Sequence, residues 1–150
     1  IPAFSGLGAP HWKMNAKAAI LGLTFGCNKN HIVRAALESI PFQIKDVIAA
    51  MEADSGLRLK ELNVDGGITA NKFVMQCLTD VLNTKVVTIG FEDVTAVGAA
   101  YLAGLECGIF ENLEHLRQLN IHKKEFVPGE DREKVYSFYE KWEKTLKELF

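Results

Sequence analysis

The chain has 150 residues, 48% of them hydrophobic and 24% charged, and 17 Lys plus Arg against 19 Asp plus Glu leave a net charge of −2. These values suit a globular domain rather than a disordered, collagen-like or membrane-spanning sequence, and the charge balance excludes an electrostatic nucleic-acid binder. A domain of this length buries roughly 70% of the surface its unfolded chain exposes, enough core to fold without disulfide or metal staples.

The first 18 residues read as loop, with a tight turn within Ser5-Gly6-Leu7-Gly8-Ala9-Pro10. Ala19 to Phe25 reads as a short, largely buried strand closed by Gly26. From His31 to Asp54, Ile32, Ala35, Ala36, Ile40, Ile44, Val47, Ile48 and Met51 recur at helical spacing, with Asn28 or Asn30 as N-cap and Gly56 as stop. Pro41 inside that helix removes one hydrogen bond and crowds the preceding turn, which predicts a kink or a division. Leu62-Asn63-Val64-Asp65 is a second strand, Gly66-Gly67 a turn, and Thr69 the cap of a helix from about Ala70 to Leu82. Val86-Val87-Thr88-Ile89 is a third strand, and Thr95 caps a helix from about Ala96 to Glu106.

This alternation predicts an α/β domain with a mainly parallel segment, whose ligands lie where strand C-termini run into helices. Beyond Gly108 come a short helix over Leu113 to Leu119, a Pro128-Gly129 turn and a terminal helix from about Asp131 to Leu149. Val135, Phe138, Tyr139, Trp142 and Leu146 make one apolar stripe on that helix, which therefore docks on the body. Lys141, Glu143, Lys144, Lys147 and Glu148 are its solvated face.

Cys27, Cys77 and Cys107 are odd in number and form no Cys-x-x-Cys pair, so neither a disulfide framework nor a zinc site is indicated and a reducing, cytoplasmic setting fits. No stretch approaches the roughly 20 apolar residues needed to span a bilayer. The N-terminus, Ile1-Pro2-Ala3-Phe4-Ser5, has neither the basic flank nor the apolar run of a signal peptide and lacks an initiator methionine, so the chain reads as a piece of a longer polypeptide.

Chemistry concentrates at Leu62 to Asn71, a strand running through two glycines into a helix. Glycines let backbone amides approach a ligand, and a helix N-terminus favours phosphate. Asn71 stands where an amide meets a sugar hydroxyl, a base edge or a phosphate oxygen. The plain alternative is a strand-to-helix turn with an exposed Asn71; neither a P-loop nor a Gly-x-Gly-x-x-Gly fingerprint is present. Thr95 to Gly104 puts Ala96, Ala99, Ala100 and Ala103 on one helix face, which reads as a close-packed seam or as a hinge seam. His11, His31, His115 and His122 have no ligand spacing and no evident paired carboxylate, so each is assigned to the surface or to local hydrogen bonds. Asp80 falls on the middle helix, and Asp65 is read as orienting its own turn. No metal site and no nucleophile triad are assigned.

Together these segments resemble the C-terminal domain of FGGY-type carbohydrate kinases, glycerol kinases most closely. The resemblance rests on Pro2 to Trp12 (PAFSGLGAPHW), Gly22 to Gly26 (GLTFG), Asp65 to Asn71 (DGGITAN) and Thr95 to Gly104 (TAVGAAYLAG), in family order, with support from the helix of Ala36 to Gly56. It covers the first 110 residues well and the tail more loosely. His11, Lys13-Met14-Asn15 and Lys72 depart from the usual pattern.

The resemblance implies a ribonuclease H-like domain of the actin and hexokinase type, residues 1–150 being a single C-terminal domain of a longer two-domain kinase. It also implies ATP and magnesium as cofactors and glycerol or a related polyol as acceptor, with a pentulose, pentose or gluconate as alternative acceptor. A nonenzymatic actin-like nucleotide-binding module is the rival from another class. By position, Gly67 would approach the nucleotide phosphates through its backbone beside Gly66, Ile68 would line the pocket, and Asn71 would supply a polar contact. The Thr95 to Gly104 helix would match the interdomain hinge. The catalytic base and most acceptor contacts would belong to preceding sequence, so the chain alone is expected to be inactive. The face meeting that missing domain would be free to self-associate.

Overall fold

The structure is a computed structural model and describes residues 1–89, 93–119 and 124–150. In chain order the elements are α1 (Lys29–Ser55), β1 (Glu61–Val64), a 3-10 turn (Gly67–Ala70), α2 (Lys72–Leu82), β2 (Lys85–Thr88), α3 (Val94–Glu106), α4 (Leu113–Leu119), β3 (Lys124–Phe126) and α5 (Arg132–Leu149). β1 and β2 run parallel, with Leu62 opposite Val86 and Val64 opposite Thr88. β3 adds antiparallel to the other side of β2, with Phe126 opposite Val86. The α/β expectation with a parallel segment holds. β3 was not anticipated, because three residues reading Lys-Glu-Phe carry too little alternation to signal a strand.

α2 lies at the centre of the core. Its Val74, Met75, Cys77, Leu78 and Val81 are buried together with Phe42 of α1, Val86 of β2 and Tyr139 of α5. A second cluster joins the N-terminal loop, through Ala3, Leu7 and Ala16, to Leu146 of α5, and Trp142 packs against both. The stripe expected on α5 is thus its docking face. On the opposite side Lys147 pairs with Glu143 at 2.7 Å and Lys144 with Glu148 at 3.9 Å.

α1 begins at a capping box, Asn28 accepting from the Asn30 amide while His31 accepts from the Asn28 amide. It ends at Gly56 in the left-handed region, φ 67°. Pro41 does not divide it. The proline removes one amide donor, while its ring and Phe42 are buried against the core and hold the turn in place.

Three expectations need correction. Ala19 to Phe25 forms no strand: no described strand pairs with it, and Ile20, Leu21, Leu23 and Phe25 are exposed. The apolar run signalled a need for burial, but a strand also needs a sheet edge, and none among the described residues receives it. Thr69 does not cap α2, since it sits inside the 3-10 turn with its hydroxyl donating to the Gly66 carbonyl at 2.7 Å. Thr95 does not cap α3, which starts at Val94; Asp93 accepts from the Ala96 amide at 3.0 Å.

Candidate functional site

β1 ends at Val64, and the chain turns into α2 through Asp65, Gly66 and the 3-10 turn. Gly66 has φ 92° and ψ 167°, a region that only glycine enters without strain. Its carbonyl accepts from both the Thr69 amide, at 3.0 Å, and the Thr69 hydroxyl, so the turn is closed from within. A Cβ built on Gly67 would meet nothing within 4 Å, so the backbone there is bare toward solvent. Ile68 stands beside it, 42% exposed.

Asn71 is the N-cap of α2, its Oδ1 accepting from the amides of Phe73 at 3.1 Å and Val74 at 3.3 Å. Its oxygen is committed to the helix, and its amide Nδ2 has no hydrogen bond to a described residue. Gly66, Gly67, Ile68 and Asn71 therefore share one strand-to-helix turn, as the sequence placed them. Asp65 does not orient that turn: its exposed carboxylate makes no hydrogen bond among the described residues, and Thr69 does the closing.

Asp80 is structural, its Oδ1 accepting from the Gly129 amide at 2.7 Å and from Gln76 Nε2 at 2.9 Å. His31 and His115 accept local backbone amides, while His122 lies outside the described residues. His11 does have a paired carboxylate. Its Nε2 lies 2.6 Å from Asp46 Oδ2, while the Tyr139 hydroxyl donates to Asp46 Oδ1 at 2.6 Å. Burial, and then this bond to a carboxylate, push the Tyr139 phenol well above the ordinary 10.0. The sequence carried a signal for the burial of Asp46 alone, which falls at helical spacing from Ser39 and Phe42 on the face of α1 that buries, and none for its partners. The small face of α3 is no packed seam, since Ala96, Ala99, Ala100 and Ala103 are all exposed.

The turn lies inside a stretch that the chain shares with known proteins. The FGGY family of carbohydrate kinases, C-terminal domain, matches residues 1–107, which contain the whole turn. The chain belongs to that family. A glycerol kinase from Klebsiella pneumoniae is 53% identical over 148 residues, and the match takes in 98% of this chain and 29% of that protein. Among solved structures, a Plasmodium falciparum glycerol kinase with ADP superposes with a TM-score of 0.84 at 39% identity, over 99% of this chain and 30% of the other. A gluconate kinase from Lactobacillus acidophilus gives 0.73 at 25% identity, over 97% and 30%. The chain thus spans under a third of the length of these relatives. The fold is that of the FGGY kinases, of the actin and hexokinase type.

Proposed function

We propose that residues 1–150 are one domain, the C-terminal nucleotide-binding domain of an ATP-dependent glycerol kinase, which phosphorylates glycerol to glycerol 3-phosphate when whole. The observation that carries this is the identity of 53% to a glycerol kinase over almost the entire chain. The Gly66-Gly67 turn supports it, since it offers bare backbone at the N-terminus of an eleven-residue helix, where phosphate is favoured. In this reading Gly67 meets the phosphates through its backbone and Gly66 supplies the conformation that presents it. Ile68 forms an apolar wall. Asn71 contacts the nucleotide through Nδ2, because Oδ1 holds the helix.

Phosphoryl transfer also needs charge neutralisation, in-line positioning and a base for the acceptor hydroxyl. Among the described residues no group of three or more His, Cys, Asp or Glu side chains can hold a metal ion. In this reading magnesium comes with the nucleotide, held mainly by its phosphates and water, and neutralises their charge. The base and the acceptor contacts fall to the rest of the parent protein, whose setting we take to be the cytoplasm. No helix among the described residues is long and apolar enough to cross a membrane.

Calorimetric titration of the chain with Mg-ADP, beside Asn71→Asp, tests the turn. Aspartate keeps the helix cap but sets a carboxylate against the phosphates. Unchanged stability with ADP affinity at least about tenfold weaker is expected, the size of one charge-assisted contact turned repulsive. Equal affinity in the variant would remove the nucleotide from this turn. The acceptor is tested in the full-length parent: glycerol-dependent ATP turnover exceeding that with gluconate or xylulose is expected, and the reverse order would make it a sugar kinase. The 150-residue chain alone is expected to turn over no ATP with glycerol.

A further inference from the structure

A cavity of about 580 Å³ opens at the other end of α2 from the Gly66-Gly67 turn, between the C-terminus of α2, the loop after α1 and the start of α5. Its volume is that of a small-ligand site. Lys45, Arg58 and Arg132 line it together with Glu52, Asp80 and Glu133, so the charges of its walls balance. A polyanion or a polycation gains little net attraction there, whereas a molecule that carries both charges and is neutral overall gains at each end.

The two helix ends set the direction. Asp80 lies in the last turn of α2, where the helix dipole disfavours a carboxylate, and that turn holds no basic residue. It is 5% exposed, and the Gly129 amide and Gln76 Nε2 both donate to its Oδ1. Its Oδ2 accepts from no described residue, and no described cation pairs with the carboxylate. Among the described residues no three His, Cys, Asp or Glu side chains can hold a metal ion, so the complement of this oxygen is an ammonium group. At the α5 end Asp131 occupies the N-cap position without capping an amide, which leaves the first-turn amides open beside Arg132. Lys45, Arg58 and Arg132 form no ion pair with a described residue. That end suits a carboxylate.

We propose that this groove binds a small zwitterion, an amino acid or a short peptide, with its ammonium on Asp80 Oδ2 and its carboxylate between Arg58 and Arg132. Lys45 adds positive charge along the α1 wall. Glu52 is already engaged, its Oε1 accepting from the Leu59 amide at 2.7 Å, and it holds the loop that carries Arg58. The site is independent of what the Gly66-Gly67 turn binds.

The test follows amide resonances of the isotope-labelled 150-residue chain during titration with dialanine, with N-acetyl-dialanine, which lacks the ammonium, and with dialanine amide, which lacks the carboxylate. Free alanine and trialanine separate an amino acid from a peptide as the source. Dialanine is expected to shift Asn83, Thr84, Arg132 and Glu133 and to saturate below about 20 mM, with each blocked form at least about fivefold weaker, as loss of one charge-assisted contact requires. Asp80→Asn keeps an oxygen for the Gly129 amide and removes the charge, and should bind dialanine and its acetylated form alike. Arg132→Gln, at an exposed position, should weaken dialanine by a similar factor.

An acetylated form that binds the unaltered chain as well as dialanine would make the groove an anion site, and an amide that does so would make it a cation site; either overturns the proposal. Shifts confined to residues away from the groove, or none at that concentration, overturn it too. Should Asp80→Asn fail to fold by circular dichroism, the blocked peptides and Arg132→Gln still decide.

Discussion

Asp46 shows how much one buried carboxylate can organise. It is 6% exposed, yet both of its oxygens are used, by His11 of the N-terminal loop and by Tyr139 of α5. It therefore ties three segments far apart in the chain. Asp46→Ala leaves the Tyr139 hydroxyl inside the core without an acceptor and frees the loop, and is expected to lower stability to urea unfolding by about 2–4 kcal/mol. The Tyr139 phenol gives this cluster a pH signature. Below pH 10 the phenol is neutral in folded and unfolded chains alike. As the pH rises past 10 the unfolded phenol loses its proton while the folded one keeps it, so the folded state loses ground. Cys77, pushed up to about 12 by burial from an ordinary 9.0, works in the same direction and starts sooner. Urea midpoints measured from pH 8 to 11 should fall on the alkaline side and fall less in Tyr139→Phe; parallel curves would show that the phenol contributes nothing to that limb.

At the ends of helices, packing and hydrogen bonding decide what propensity leaves open. In α3, Gly104 is buried under Phe110, and a Cβ there would come within 2.4 Å of the ring, which also meets Tyr101 and His115 edge to face. Gly104 also carries the carbonyl that accepts from the Ile109 and Phe110 amides, closing the corner toward α4. Gly104→Ala improves helix propensity but overpacks this corner, and a net loss of about 1–3 kcal/mol by thermal unfolding is expected. α1, α2, α5 and the parallel pair β1 and β2 were legible because each carries a periodic apolar face bounded by Gly, Asn or Asp. The Gly66-Gly67 turn was legible for the same local reason. The caps were read one short step off, Thr69 for Asn71 and Thr95 for Asp93, because several capping residues lie within one turn and only the closed backbone selects among them. His11 with Asp46, and Arg34 with Phe73, were not legible as pairs. Their partners are 35 and 39 positions apart, and no local pattern encodes a contact made by two elements meeting in space.

Many large apolar side chains are left open among the described residues. Ile20 is 63% and Leu23 56% exposed, Phe25 is fully exposed, and the Ala face of α3 is bare with Leu102 beside it. Phe4, Trp12 and Met14 of the N-terminal loop are open as well. Apolar side chains left open in this number mark a contact site or drive association where they gather into one face. None of the side chains between Ile20 and Phe25 belongs to either core cluster, so removing them costs the fold little. The 150-residue chain should therefore associate with rising concentration in sedimentation velocity, and Leu23→Ser combined with Phe25→Ser should shift it toward monomer without lowering its melting temperature. A parent protein that covers this face should show no such shift when the same two residues are changed, and should instead lose stability or catalytic turnover. A chain that stays monomeric at high concentration would mean that these side chains are scattered over the surface rather than gathered into one face. The apolar run at residues 19–25 would then need no partner surface to explain it.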